Sequence, residues 1–243
     1  MRIGLIPELF TLDVDHNLSQ MLKWLQHFQG ENLDLICFGE ACLQGFAALN
    51  ADYEHDLAMA ISQDDEVVAR LQAACQRAKT GLGFGYIEKD SGFLFSSYML
   101  IGSDGNVLKN FRRVSPGWKL GQAFQDPRYR EGSDYSNFEY MGKNITVAIC
   151  GDLWHDVLIE HFKAVESDLL LWPLYTNYEI ETWESGEKEE YAQRVACLNR
   201  PVLMVNCFDD GEDIAHGGAF VFEQGKLSQE LPMGEKGILQ VDC

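Results

Sequence analysis

Cys150 ends the apolar, β-branched run Thr146-Val147-Ala148-Ile149 and is followed at once by Gly151-Asp152. A thiol at the end of a strand, entering a tight turn toward a helix, is carried on a rigid element with its sulfur pushed into a shallow site, as a nucleophile requires. A cysteine in an apolar run also serves as a small buried hydrophobe. What decides between these roles is the company the residue keeps. Glu40 has a matching place, because the apolar run Leu33 to Phe38 delivers Gly39-Glu40 at its C-terminal end. In layered α/β folds sites form beyond the carboxyl ends of strands, so a thiol and a carboxylate at two such ends meet the requirement for a common pocket.

The elements that must hold these two residues are legible from periodicity. Arg2 to Ile6 reads as a strand, and Leu18, Met21, Leu22, Leu25 and Phe28 recur at helical spacing behind the capping candidates Asp15 and Asn17. Val67, Val68, Leu71, Ala74 and Cys75 form a second helical stripe, closed by Gly81. Strands are then expected at Leu82 to Ile87, Phe93 to Ile101 and Val107 to Val114, the last two joined by a turn at Asp104-Gly105. Phe138 to Met141 and Ile145 to Cys150 flank Gly142-Lys143 as a hairpin, followed by a helix near Val157 to Val165 and a buried strand at Leu169 to Trp172. A helix around Glu187 to Leu198 precedes strands at Val202 to Phe208, Gly218 to Phe222, Leu227 to Leu231 and Ile238 to Val241. Helices alternating with strands and hairpins imply a mixed α/β fold in which helices layer over sheet.

With 243 residues and 46% hydrophobic content the chain can bury a full core, and no linker, repeat or low-complexity stretch divides it, so residues 1–243 are expected to form one domain. Nineteen basic against 38 acidic residues, a net charge of -19, repel nucleic acid and anionic membranes, and neither is expected as a partner. The seven cysteines show no CxxC pair and the six histidines no ligand spacing, so neither a metal nor a disulfide scaffold is expected. The apolar start Met1 to Pro7 is too short for a signal peptide and no run is long enough to span a bilayer, which leads us to expect a cytoplasmic location.

Several segments together resemble the nitrilase, or carbon-nitrogen hydrolase, superfamily over nearly the whole length. Leu35-Ile36-Cys37-Phe38-Gly39-Glu40-Ala41-Cys42-Leu43-Gln44-Gly45-Phe46 is similar to that family's apolar strand, glutamate and downstream Gly-aromatic pair. Asp104-Gly105-Asn106-Val107-Leu108-Lys109-Asn110-Phe111-Arg112-Arg113 resembles its hairpin motif, and Val147-Ala148-Ile149-Cys150-Gly151-Asp152-Leu153-Trp154 its nucleophile motif. Ser167 to Pro173, Arg194 to Asn199 and Val205-Asn206 resemble the elements that close the sandwich. The resemblance implies a four-layer α-β-β-α sandwich, usually dimeric, and a Glu-Lys-Cys triad that cleaves amides or nitriles without metal or organic cofactor.

On that resemblance Glu40 is the general base and Cys150 the nucleophile of a thioester mechanism. The position matching the family's lysine is Arg113, a departure that matters because guanidinium is a planar fork where ammonium is a compact point charge. Arg113 either neutralises the oxyanion, fills the pocket, or is bound up in a salt bridge with Glu40. Lys109 lies on the same strand face about 13 Å away, too far to substitute. A second acidic residue is expected from the segment Phe124 to Gly132. Asp126 is the first choice, a short carboxylate complementing the long Arg113, and Glu131 is the other. Trp154, Tyr175 and Asn177 are the candidates for substrate contact, Trp154 equally for packing.

The expected activity is hydrolysis of a non-peptide C-N bond in a small amide or carbamoyl compound by a homodimer. The alternative is a fold member impaired by Arg113 that keeps a binding or interaction role.

Overall fold

Leu169, Leu171, Leu203 and Val205 point into one apolar cluster, and their chain neighbours Leu170, Trp172, Val202 and Met204 into another. Period-two alternation in strands buried on both faces produces that split, and it is why these runs read as continuously apolar. The computed structural model describes residues 1–209 and 214–243. Its first half contains β1 (Arg2–Leu5), α1 (Val14–His27), β2 (Leu35–Cys37), α2 (Tyr53–Met59), α3 (Glu66–Ala78), β3 (Gly81–Asp90), β4 (Phe93–Ile101) and β5 (Val107–Arg112). The second contains β6 (Phe138–Tyr140), β7 (Lys143–Val147), α4 (Asp156–Ala164), β8 (Leu169–Leu174), α5 (Ile180–Thr182), α6 (Lys188–Val195), β9 (Val202–Asn206), β10 (Ala219–Glu223), β11 (Lys226–Leu231) and β12 (Leu239–Asp242).

Two six-stranded sheets result, ordered β12-β1-β2-β3-β4-β5 and β11-β10-β9-β8-β7-β6. Ile3, Leu5, Tyr98, Ile145, Leu171 and Val205 meet between them. Helices α1 and α3 cover the outer face of the first sheet, and α4 and α6 that of the second, giving the expected four-layer α-β-β-α sandwich. On α1 the fully buried Leu18, Met21 and Leu25 are spaced three and four apart. Each such side chain is worth about 1.5–3 kcal/mol on burial, enough to fix the helix rotation. Strands β1, β2 and β3 run parallel, as do β7, β8 and β9. The chain just past β2 meets the C-terminal end of β8, where the Glu40 N–H donates to the Leu174 carbonyl at 3.3 Å. No helix among the described residues is long and apolar enough to cross a membrane.

Several local expectations change. The cap of α1 is Asp13, whose carboxylate accepts from Asp15 N at 2.9 Å and His16 N at 3.1 Å. Asp15 lies in the first turn, and Asn17 is buried, its carboxamide bonding Thr11 N, Thr11 O and Leu43 O. A side chain that joins three backbone groups of two loops is better used there than at the exposed helix end. Gly81 does not close α3, which ends at Lys79 in the left-handed conformation; it opens β3 opposite Leu35. The strand expected to reach Cys150 ends at Val147, because Cys150 itself has φ +45° and starts a single-turn 3-10 helix, Cys150–Trp154. Helix α2 has too short an apolar stripe to be read from sequence.

Candidate active site

Glu40 reaches the site by a crossing of bare backbone. After β2 the Phe38 N–H donates to the Gly83 carbonyl and the Gly85 N–H to the Gly39 carbonyl. A Cβ on Gly85 would lie 2.3 Å from Ala41 N, so the approach requires glycine there. The Glu40 side chain is fully buried. Its Oε1 accepts from Ser96 Oγ at 2.9 Å and from Arg113 Nη1 at 2.9 Å, whereas Oε2 is buried with no hydrogen-bond partner among the described residues. The two donors are cross-strand neighbours: the Arg113 N–H donates to the Ser96 carbonyl at 2.8 Å, carrying the β4–β5 ladder one residue past β5.

Cys150 stands in the left-handed region, an uncommon conformation for a residue with a side chain and one typical of sites held by their surroundings. What holds it is visible. The Trp172 indole N–H donates to the Cys150 carbonyl at 2.8 Å, and the Sγ donates to the Tyr175 carbonyl at 3.7 Å. Burial pushes the thiol up to about 12, the neighbouring Glu40 adds to the rise, and Arg113 opposes it. The resting sulfur is therefore protonated at neutral pH, and it needs a base to attack.

Asp152 supplies the remaining support. Its Oδ2 accepts from Ile149 N at 2.9 Å, and its Oδ1 from Ser115 N at 2.8 Å and Val114 N at 3.1 Å. One carboxylate thus ties the nucleophile turn to the segment that follows Arg113. Burial pushes it up to about 6, against the pull of Arg113 and its hydrogen bonds. Since this is above its unfolded value, the folded chain holds the proton more tightly, and the group's contribution to stability rises as pH falls through about 6. Asp152→Ala leaves buried N–H groups unpaired at about 1–3 kcal/mol each. We expect denaturant unfolding to show that loss, and to show it larger near pH 4.5 than near pH 7.5. A loss that grows with pH would contradict this account.

Arg113 is buried with Glu40, its Nε donating to Ser115 Oγ at 2.9 Å. Burial works against its charge, but Glu40, Cys150 and Asp152 outweigh that and raise the guanidinium above its usual range. The ion pair with Glu40, one of the outcomes considered for this residue, is formed.

The structure brings Glu40, Arg113 and Cys150 together and leaves Asp126 apart. Asp126 is paired with Arg128 at 2.7 Å, in a cleft lined also by Asn50, Tyr53 and Gln122, so it does not complement Arg113. An Asp-x-Arg turn lets the carboxylate bond its own local Arg128 N–H and guanidinium, which removes it from the site. Glu131 pairs with Lys119, and Lys109 with Asp134 and Ser136. The Tyr175 ring stacks on Phe46 with centroids 4.9 Å apart, and its hydroxyl bonds Asp209. Trp154 packs edge-on against Tyr191 at 4.8 Å, a packing role, while Asn177 is exposed on the loop after β8. Sequence reasoning missed Ser96, Ser115 and Asp152. The signal for Ser96 was its place inside the apolar strand Phe93–Ile101, where a buried hydroxyl needs a partner.

Comparisons with known proteins agree with this fold. The family profile described as carbon-nitrogen hydrolase matches residues 3–243. The chain is 22% identical over 244 residues to a glutamine-dependent NAD(+) synthetase of Acinetobacter baylyi, covering 94% of this chain and 42% of that protein. It spans less than half the length of the curated relatives it matches. Among solved structures, an amidase from Nesterenkonia sp. superposes with TM-score 0.78 at 19% identity, covering 100% of this chain and 90% of that one. A carbon-nitrogen hydrolase from Helicobacter pylori G27 superposes with TM-score 0.81 at 14% identity, covering 99% and 87%.

Proposed function

The chain belongs to the carbon-nitrogen hydrolase family, and on that premise we propose that it hydrolyses a small primary carboxamide to a carboxylic acid and ammonia through a thioester on Cys150. The observation that carries this reading is Glu40 Oε2, a buried acceptor that no hydrogen bond engages among the described residues, on a carboxylate close enough to push up the protonated thiol of Cys150.

Glu40 takes the thiol proton as the sulfur attacks the carbonyl carbon, forming a C–S bond and an oxyanion. The Arg113 cation and the N–H groups at the start of the Cys150–Trp154 turn face that charge. When the C–N bond breaks, Glu40 returns the proton to nitrogen and ammonia departs. Water then loses a proton to Glu40 and its hydroxide adds to the acyl carbon; the C–S bond breaks, and the proton goes back to sulfur. The acid leaves and the thiol is restored.

An amide fits the resting site better than a nitrile. Its N–H satisfies Oε2, whereas a nitrile has no donor and leaves that acceptor bare at a cost of about 1–3 kcal/mol. Among similar proteins, an amidase and a glutamine-dependent enzyme are named for the same bond, while two others are named an arylacetonitrilase and a cyanide hydratase. The Arg113–Glu40 pair is what favours a non-catalytic binding role instead, since it occupies one oxygen of the base.

The test is ammonia release from a panel of small amides and the matching nitriles, with intact mass followed on the same samples. Amide-dependent ammonia with a transient acyl adduct that vanishes in Cys150→Ala supports hydrolysis. Turnover that survives in Cys150→Ala would remove the thioester, and binding without ammonia would favour the non-catalytic role.

A further inference from the structure

The long cation that replaces the expected lysine is accommodated by missing atoms on either side of it. A Cβ built on Gly151 would lie 2.5 Å from Arg113 Nη2, and one on Gly117 would lie 2.7 Å from the same atom. Neither glycine has the positive φ that would require glycine for its backbone. What each provides is space.

The guanidinium has nowhere else to go. Nε is committed to Ser115 Oγ and Nη1 to Glu40 Oε1, so Nη2 cannot swing without breaking one of those bonds. Nη2 itself has no acceptor among the described residues. A lysine at this position would differ. Its Nζ is as many bonds from the backbone as Arg113 Cζ, and Cζ lies 3.5 Å from the Gly151 Cβ position and 3.8 Å from that of Gly117. Those are ordinary contacts, so a lysine tolerates alanine at 117 and the arginine does not, whereas at 151 the tight approach to Ser115 Oγ at 3.1 Å is met with either residue.

We propose that Gly117 and Gly151 are positioning residues, a slot that presents Arg113 Nη2 beside the turn after Cys150. The proposal rests on the reading that Arg113 opposes the oxyanion of a bound amide. It moves the complement of Arg113 from the acidic residue expected in the sequence to two glycines.

The test is a double-mutant cycle in the full chain: Gly117→Ala and Gly151→Ala, each with Arg113 and with Arg113→Lys, and melting temperature recorded for all. Gly117→Ala is the cleaner probe, because among the described residues other than its chain neighbours only Arg113 has atoms within 4 Å of its Cβ, whereas that of Gly151 also meets Ser115 Oγ at 3.1 Å. With Arg113 present, displacing the guanidinium by about 1 Å should lower kcat/KM for acetamide on the order of a hundredfold. With Arg113→Lys, Gly117→Ala should add little further loss. Equal losses in both backgrounds, or none with Arg113, would overturn the slot. Should no variant release ammonia, the amide reading fails, and the cycle is still read in Cys150 alkylation by iodoacetamide at pH 8. There Gly117→Ala should slow the thiol only when Arg113 is present, because a displaced cation stabilises the thiolate less. Uniform alkylation rates across the cycle would reject the slot independently of any turnover.

Discussion

Glu40→Gln is expected to lower amide turnover by about a hundredfold to ten thousandfold, the range for removing a positioned general acid-base. The substitution is nearly isosteric. Its amide oxygen can keep the bonds that Oε1 accepts from Ser96 and Arg113, which places the NH2 group where Oε2 stood. A donor then faces the Cys150 thiol in place of an acceptor. Burial already pushes that thiol up to about 12, so water at neutral pH cannot generate the thiolate in useful amount. Ammonia release under saturating amide, with intact mass to confirm that no acyl adduct builds up, measures the effect. Retention of roughly a tenth or more of wild-type turnover would mean that another group takes the proton.

Arg113→Met should damage stability and activity together. The carboxylate of Glu40 is fully buried, and Arg113 is the cation paired with it. Removing one partner of such a pair costs about 3–5 kcal/mol, because the other charge is stranded. Loss of the cation proposed to face the oxyanion should also cost about a hundredfold to a thousandfold in kcat. The double variant Arg113→Met with Glu40→Gln separates the two effects. Neutralising both partners should restore most of the stability, because no uncompensated charge remains, and none of the activity. Urea unfolding midpoints at constant m measure the first. A single Arg113→Met as stable as wild type would show that the pair contributes nothing to the fold.

How much of this was legible in the chain differs by element. Leu169 to Trp172 and Val202 to Phe208 were readable as short continuous apolar runs, the mark of strands buried on both faces, although the second strand ends at Asn206, and the helical stripe from Leu18 to Phe28 was readable from its spacing of three and four. Where a local rule had a tertiary competitor the reading slipped. Asp13 caps the helix and Asp15 lies in its first turn, while the carboxamide of Asn17, deeper in, is taken up by Thr11 and Leu43. Asp126 looked like the partner of Arg113, but the guanidinium of Arg128, two residues on, captures it.

By itself the sequence determined most of the order of strands and helices and the placing of Glu40 and Cys150 at the ends of strand runs, since these follow from patterns spanning a dozen residues or fewer, and several such segments together carried the family. Only the tertiary structure decided what those side chains do to each other. The contacts that engage Glu40 Oε1 come from residues 56 and 73 positions away. Sheet register sets them, and register depends on side chains packing across the whole sandwich. The same long-range closure left Oε2 bare, gave Asp152 its three N–H groups, and set Gly117 and Gly151 on either side of Arg113. No local periodicity carries information about distances of that kind.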